Sequence, residues 1–593
     1  MLSAFRRISW SSLPHPPEHE VIAMLDSTLS ALSILSLLSD CGVRDVCIAP
    51  GSRNAPFALL RERFPLLRYH VHFDERDLGF LALGMALGLL RPVAVITTSG
   101  TAAGNLLPAV MEARNSHIPL ILITADRPWE LLGTGANQTC EQDRIYGSYA
   151  RFVHVPVLSS AGAVSAARQK IINALSEALL SGMPLHLNVE LREPLYEDLQ
   201  EADACPDALP ADVQRACFPD AEVPLFPDQS PLPDIFPGAP LAAKIREFFR
   251  GEGQTLVAAG TIHPRDAARL TDVLNCCGGP VIADIQSNLR GRMPVLAPFD
   301  ILTARIPELC ERLRKFPRMA VIEGRFISKK LLNFIRSFPG EVIFITAYGD
   351  GINASGRPGL TIRITLSALL QLLPEVPAGD PPGATLADLT PEIAAVKKET
   401  AACSSLDAEL TEVSAAAGLS RLSTPLLIGN SLPARLADTL ILPEHPKPVY
   451  SLRGVSGIDG LIAAAAGLSL GDPDSGITAV IGDMSALYGL TGMALLKRYR
   501  VRLVIFNNNG GNIFLKFPIA STAIRNDLFV NPQNADFSHA AAMFGIPWRR
   551  PQTQQEFLKI LEEPVSGGEI VEIHFPQGEG LDLLRKLTAP GEA

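Results

Sequence analysis

Short, unbroken runs of apolar and β-branched residues alternate with longer amphipathic stretches along most of this chain. In the first third the runs cover residues 46–50, 69–73, 93–97, 120–124 and 185–189, with helical patterns such as 29–38 and 163–180 between them. A strand that is apolar at every position has to be covered on both faces. That is the condition of a parallel sheet whose crossovers are helices. The alternation resumes at 255–259, 281–285, 320–323, 342–346 and 361–365, and again at 426–429, 449–452, 477–481, 503–507 and 570–575. The fold class expected is therefore α/β, with three doubly wound parallel-sheet domains.

Two proline-rich stretches divide these blocks. Proline lacks the amide proton that a ladder or a helix interior needs, so such stretches read as extended linkers. The expected organisation is a tail over 1–25, a first domain over 26–204, a linker over 205–240, a central domain over 241–373, a linker over 374–390 and a third domain over 391–593. There is no short-period repeat of solenoid type. The 593 residues suit about three large domains or four ordinary ones. With 47% hydrophobic and 19% charged residues the chain is not of the disordered class.

Charge narrows the partners. Lys and Arg total 52 against 62 for Asp and Glu, a net −10, so no nucleic acid is expected as a partner, because phosphate binding needs clustered cations. The nine cysteines are odd in number, irregularly spaced and without a CxxC pair. Neither a disulfide framework nor a thiolate zinc site fits, and reduced thiols point to a cytoplasmic protein. The longest apolar stretches, 78–90 and 461–470, are too short to span a membrane. The first twenty residues hold Arg6, Arg7 and several serines ahead of any acid, without a secretory apolar core; they read as a loose tail or a start codon placed too early.

The chemistry-bearing residues cluster at the ends of apolar runs. Gly482-Asp483 closes one run, and Asn507-Asn508-Asn509-Gly510-Gly511 closes the next; Asp483 and Asn508 are 25 positions apart, one βαβ unit. Both then sit at carboxyl ends of strands, where open α/β sheets bind ligands. Asp and Asn supply hard oxygens of the kind Mg²⁺ takes together with phosphate oxygens and water. This GD–NN spacing resembles the signature of thiamine-diphosphate enzymes. Glu75, between an apolar run and an apolar helix, is placed to be the carboxylate such enzymes need at the aminopyrimidine ring; the plainer reading of Glu75 is a helix-start acid favoured by the dipole.

Longer stretches narrow the resemblance. CIAPGSRNAP (47–56), HFDERDLGFLALG (72–84), TTSGTAAGNLLPAV (97–110), LITADRPWEL (122–131) and GANQ (135–138) lie in the first block. GNSLPAR (429–435), SLRGVSGIDG (451–460), GDMSALY (482–488), NNNGGNIF (507–514) and FSHAAAMFG (537–545) lie in the third. Together they resemble the 2-succinyl-5-enolpyruvyl-6-hydroxy-3-cyclohexene-1-carboxylate synthase family, from about Ser27 to the C-terminus. The resemblance implies pyrimidine-binding, central and diphosphate-binding domains of the thiamine-diphosphate-enzyme type. It implies thiamine diphosphate with Mg²⁺ (or Mn²⁺) as cofactors, and a homodimer or homotetramer with the cofactor between the first domain of one subunit and the third of another. The implied substrates are 2-oxoglutarate, which is decarboxylated, and isochorismate, which receives the succinyl unit in menaquinone biosynthesis.

Roles follow by matched position. Glu75 is implied as the cofactor-activating acid, Asp483, Asn508 and the carbonyl of Gly510 as metal ligands, Ser485 as a further cofactor contact, and Ile458 as the apolar wedge that holds the cofactor bent. Arg53, Gln138 and Arg453 are implied in catalysis beside Glu75. The substrate pocket is implied at Ser52, Arg53, Arg127, Asn137, Gln138, Lys329, Lys330, Ser431, Arg435, Arg453 and Phe514. Substrates with two carboxylates call for several guanidinium or ammonium groups, and the arginines sit beside glycines, serines or prolines in expected loops. Two positions depart from the family pattern: Asn54 where Ser or Thr is expected, and Lys330 where Arg is common. The alternative reading is another thiamine-diphosphate 2-oxo-acid carboligase or decarboxylase, acetolactate-synthase-like, which shares Glu75 and Asp483 but needs fewer pocket cations. A second alternative is a cofactor-binding homologue without catalysis.

Overall fold

The computed structural model describes residues 26–195, 210–218, 234–249, 255–348, 353–373 and 386–589. The tail 1–25 and most of the two proline-rich stretches lie outside the described residues.

Three all-parallel sheets organise the chain. The first holds β1 (Asp45–Ile48), β2 (Arg68–Val71), β3 (Val93–Thr97), β4 (Leu120–Asp126), β5 (Arg151–Val155) and β6 (Leu185–Glu190), in the order β2-β1-β3-β4-β6-β5. The central sheet holds β7 (Thr255–Ala259), β8 (Val281–Ala283), β9 (Arg318–Ile322), β10 (Glu341–Thr346) and β11 (Leu360–Arg363), in the order β11-β10-β9-β7-β8. The third holds β12 (Leu426–Ile428), β13 (Val449–Ser451), β14 (Ile477–Gly482), β15 (Val501–Asn507), β16 (Trp548–Arg549) and β17 (Glu569–His574), in the order β13-β12-β14-β15-β17-β16. Counted along the chain, the first and third sheets share one strand order. In each, the order reverses between the first and third strands, and that switch point is where such sheets hold ligands.

Burial explains the continuous apolar runs. Along β1 and β3, Cys47 and Val95 face the core under helix Glu75–Leu89, while Val46, Ile48, Ala94 and Ile96 face the core under helices Asp26–Asp40 and Ala161–Ser181. The core under Glu75–Leu89 is not confined to one domain. It runs on through Ala463, Ala464, Ala479, Ile481 and Ile505 of the third. Helices Glu75–Leu89 and Leu461–Leu468 form the seam. A Cβ on Gly84 would lie 2.1 Å from the Ala464 carbonyl oxygen, so the backbones approach as closely as only glycine allows.

Several expectations need correction. The stretch 205–240 is not extended throughout: Ala211–Cys217 is a helix. Val213 and Cys217 are buried in the first domain, and the Cys217 carbonyl accepts from Ser36 at 2.7 Å and from Arg168 at 3.1 Å. Helix Thr390–Ala402 begins at the edge of the second expected linker and packs Ile393 and Val396 on the central core, not on the third. Strands β5 and β16 lie at sheet edges. Half-exposed and short, they lack the apolar run that marks a strand buried on both faces. Among the described residues no helix is long and apolar enough to cross a membrane.

Candidate active site

Most of the motifs singled out in the sequence fall just beyond the carboxyl end of a strand, while FSHAAAMFG lies on helix Phe537–Phe544 and GANQ in the loop after β4. APGSR follows β1, Glu75 follows β2, the TSG turn follows β3 and Arg127 follows β4. In the third sheet GNS follows β12, the loop with Arg453 follows β13, Asp483 follows β14 and Asn508 follows β15.

Asp483 and Asn508 lie at the ends of adjacent strands. Asp483 Oδ2 accepts from the Gly510 amide at 2.6 Å, which brings the two motifs together. Asp483 is buried, and burial pushes its carboxyl up to about 6 against the pull of the Gly510 and Met484 amides. The three asparagines of the second motif are not equivalent. Asn507 donates to Ala535 at 2.9 Å and Glu572 at 2.8 Å and accepts from the Asn509 amide; Asn509 both donates to and accepts from Asn534. Asn508 directs its nitrogen to the buried Glu412 at 2.9 Å, which orients its amide. Burial pushes Glu412 up to about 8, with the Asn508 amide opposing and the charges of Glu579 and Asp483 adding to the rise. One carboxylate, one oriented amide and one backbone carbonyl form a set of hard oxygens that fits a small divalent cation bound jointly with phosphate oxygens. Such a set is not a cluster of three acids, histidines or cysteines, and none occurs among the described residues. Ser485, also buried, lies in the first turn after Asp483.

Glu75 opens helix Glu75–Leu89, capped by Asp74, whose carboxylate accepts from the amides of Arg76 and Asp77. Glu75 is half-buried and accepts from Asn105 at 3.2 Å. Its neighbours fix it against the segment after the GD pair. Arg76 donates to the Tyr488 carbonyl at 2.8 Å and lies over the Tyr488 ring, and Thr491 donates to Asp74 at 2.8 Å and to Asp77 at 2.6 Å. Ile458 is half-buried in the loop after β13. Asn430 ties that loop by donating to the carbonyls of Leu452 and Gly457, both at 2.7 Å, and accepts from Arg453 at 3.1 Å.

The cations form two groups. In the first domain, Arg53 is buried and donates to Leu191 at 2.9 Å and Glu193 at 2.7 Å. Arg127 donates to the Ser99 hydroxyl and, at 2.9 Å, to the Gln138 carbonyl, while Gln138 donates to the Ser99 carbonyl at 2.8 Å. Burial and the charge of Arg53 both lower the Arg127 pKa. Ser52 and Asn137 are exposed at the rim of this group. In the second group Arg435 donates to the Ser431 carbonyl at 2.8 Å, and burial followed by the charge of Arg453 lowers its pKa. Lys329 lies over the Phe517 ring at 5.9 Å. Lys330 turns to the carbonyls of Asp300 and Thr588 at 3.3 and 3.4 Å. Phe514 stands 37% exposed, its ring against Phe529. Among the described residues no hydrogen bond or ion pair joins the two groups.

Sequence reasoning missed Ser99, Glu412, Asn430 and Lys516. Burial lowers the Lys516 pKa, the Arg435 charge adds to this, Asp300 opposes it and Lys329 adds again, so Lys516 belongs to the second group. Its one signal was a lone charge in the apolar run IFLKF. Ser99 and Asn430 lie inside the stretches TTSGTAAGNLLPAV and GNSLPAR, which mark the place but not the role, and Glu412 carried no local signal.

Comparison with known proteins agrees with this layout. Residues 31–145 match the family described as "Thiamine pyrophosphate enzyme, N-terminal TPP binding domain". A protein of Halorhodospira halophila named 2-succinyl-5-enolpyruvyl-6-hydroxy-3-cyclohexene-1-carboxylate synthase is 34% identical over 579 residues, covering 95% of this chain and 98% of that protein. One of the same name from Shewanella frigidimarina is 32% identical over 566 residues, covering 94% and 96%. The crystal structure of benzoylformate decarboxylase from Polynucleobacter necessarius superposes with a TM-score of 0.69 at 17% identity, over 93% of this chain and 99% of that one, a likeness of fold.

Proposed function

This chain belongs to the 2-succinyl-5-enolpyruvyl-6-hydroxy-3-cyclohexene-1-carboxylate synthase family, and on that premise we propose which of its residues carry the reaction. It is a thiamine-diphosphate-dependent transferase of menaquinone biosynthesis: 2-oxoglutarate loses CO₂, and the remaining succinyl unit adds to the unsaturated carboxylate of isochorismate. When bound, thiamine diphosphate supplies the carbon nucleophile and the electron sink. Glu75 would be the carboxylate at the aminopyrimidine ring, holding or releasing a proton there. Asp483, Asn508 and the Gly510 carbonyl would hold Mg²⁺ (or Mn²⁺), Ser485 would contribute to the diphosphate site, and Ile458 would form the apolar wedge against the cofactor.

Each substrate brings two carboxylates, and the two groups of cations answer them. Arg53 and Arg127, with Ser52, Asn137 and Gln138, form one anchoring set. Arg435 and Arg453, with Lys329, Ser431, Phe514 and Lys516, form the other. Lys330, bonded to backbone carbonyls, contributes long-range charge. Guanidinium pairs fix a carboxylate in two directions, which orients the substrate as well as neutralising it. Exposed apolar side chains at Val71 and Phe73, beside Glu75, support a homodimer as the working unit. None of Cys47, Cys140, Cys217, Cys310 and Cys403 is in a disulfide, which suits the cytoplasm.

The observation that carries this reading is the joining of the two strand-end motifs, Asp483 to Gly510 at 2.6 Å, with Asn508 oriented beside them. The test is CO₂ release by the purified protein with thiamine diphosphate and Mg²⁺. Release from 2-oxoglutarate, with consumption of isochorismate, is expected. Release from pyruvate instead identifies an acetolactate-synthase-like carboligase, and cofactor binding without turnover of any 2-oxo acid identifies a non-catalytic homologue.

A further inference from the structure

We propose that Glu112, a residue of the first domain, is a positioning residue for the loop 452–460 of the third, and through it for Arg453 and Ile458. The proposal rests on the site reading above. Glu112 lies on helix Leu107–Ser116 and is 2% exposed. Its Oε1 accepts from the Gly454 amide and its Oε2 from the Val455 amide, both at 2.8 Å. Ser116 donates to Oε1 at 2.7 Å and completes its coordination. Two successive amides converging on one carboxylate form an anion-holding turn, here filled by a side chain from 342 residues away.

The grip falls at the centre of the loop. Arg453 immediately precedes the two held amides and Ile458 follows three residues later. Asn430 restrains the same loop from its own domain through Leu452, Arg453 and Gly457. The loop is thus held between one amide side chain and one carboxylate. Apolar packing contributes less, because a cavity of about 230 Å³ lies between Leu452 and Val455 on the loop and Phe80 and Met111 on the first domain. Gly454 has to be glycine for the grip to form: a Cβ there would lie 2.6 Å from Ser116 Oγ and 2.9 Å from the Glu112 backbone and carboxylate oxygens. Ser456, one residue past the held pair, takes φ 56°, a left-handed conformation that a serine keeps only where the surroundings impose it.

The consequence is specific. Glu112 touches neither Asp483 nor Asn508, so weakening it acts on the wedge and the arginine while leaving the metal cradle intact. Glu112→Gln is isosteric but turns an NH₂ group toward one of the two amides, exchanging a hydrogen bond for a donor–donor contact. Thiamine diphosphate affinity, read from quenching of intrinsic fluorescence at saturating Mg²⁺ without any substrate, is expected to fall about tenfold, and KM for a substrate to rise by a similar factor. The melting temperature of the cofactor-free protein is expected to stay within about 2 °C of the parent, as for a small local change. Unchanged affinity and KM, or a loss of cofactor-free stability that accounts for both, overturns the proposal. Should Glu112→Gln not fold, Ser116→Ala removes one donor to the same carboxylate, and a smaller loss of affinity, about twofold, is expected; no loss overturns the proposal. Ile458→Ala and Arg453→Ala separate the two levels. If these leave cofactor affinity and KM untouched, the site reading fails; if they are sensitive while Glu112→Gln is not, only the role of Glu112 fails.

Discussion

The carboxyl of Glu412 stands 2.9 Å behind the amide nitrogen of Asn508 and leaves the carbonyl end of that amide for a ligand. Glu412 accepts both from Asn508 and from the Gly580 amide, so a glutamine in its place keeps the bond to Asn508 and turns its NH₂ toward the Gly580 donor. Glu412→Gln is expected to weaken Mg²⁺ binding about threefold. Glu412→Leu, which leaves the Asn508 nitrogen buried without an acceptor, is expected to lose tenfold or more, as outer partners of metal ligands do. Mg²⁺ titration of fluorescence in the presence of thiamine diphosphate measures both.

Glu75 takes its position from three anchored neighbours, and its own carboxylate accepts from Asn105 at 3.2 Å. Glu75→Gln is expected to lower kcat by about 10² to 10⁴ with an unchanged circular dichroism spectrum and melting temperature. Retention of most of the activity in a folded variant would falsify the assignment of Glu75 as the activating acid.

Lys516 stands among cations with Asp300 its one opposing charge. Lys516→Met keeps the length of the side chain and removes the charge. KM for 2-oxoglutarate or isochorismate is expected to rise about tenfold, the worth of one charge-assisted hydrogen bond, with thiamine diphosphate affinity unchanged. An equal loss of cofactor affinity would place Lys516 outside the substrate pocket.

His263 is packed between a helix start and the first domain. Its Nδ1 accepts from the Arg265 amide at 3.2 Å, which caps helix Pro264–Cys277, and its Nε2 donates to the Leu87 carbonyl at 3.1 Å. Burial pushes its pKa down to about 4. Between pH 6.5 and pH 4 the unfolded chain therefore binds the proton that the folded chain refuses, and stability falls as pH falls through that window. From pH 7 to pH 5 the contribution is about 2 kcal/mol. His263→Asn keeps a capping acceptor. Its melting temperature is expected to drop less than that of the parent over the same pH interval, and equal drops would remove His263 from the acid-sensitive groups.

What could be read from the sequence follows the physics of each element. Strand β3 was legible because all five of its residues are buried, and the helices between strands were legible from their period. Strand β5, with Arg151 exposed at an edge, and the two-residue β16 give no such pattern. Helix Ala211–Cys217 was obscured by the prolines around it, which describe the chain before and after the helix but not the seven residues themselves. The site divides in the same way. Glu75, Asp483 and Asn508 announce themselves by sitting next to apolar runs. Asn430 and Glu412 act on groups brought near only by folding, 22 and 96 residues away. Lys330 was named for its position, and its hydrogen bonds to Asp300 and Thr588 emerge only from how the helix turns.

The meeting of Gly84 with Ala464 has a mechanical meaning. Where side chains interlock, one helix can ratchet past another by exchanging knobs between holes. Here main chain rests on main chain, and one turn on the pattern repeats, with a Cβ on Gly88 only 3.2 Å from the Leu468 carbonyl oxygen. A slide of the first helix by one turn toward its own C-terminus would bring the Phe80 side chain to the Ala464 carbonyl, so the first and third domains keep their register in that direction, and any side chain added at 84 would prise them apart.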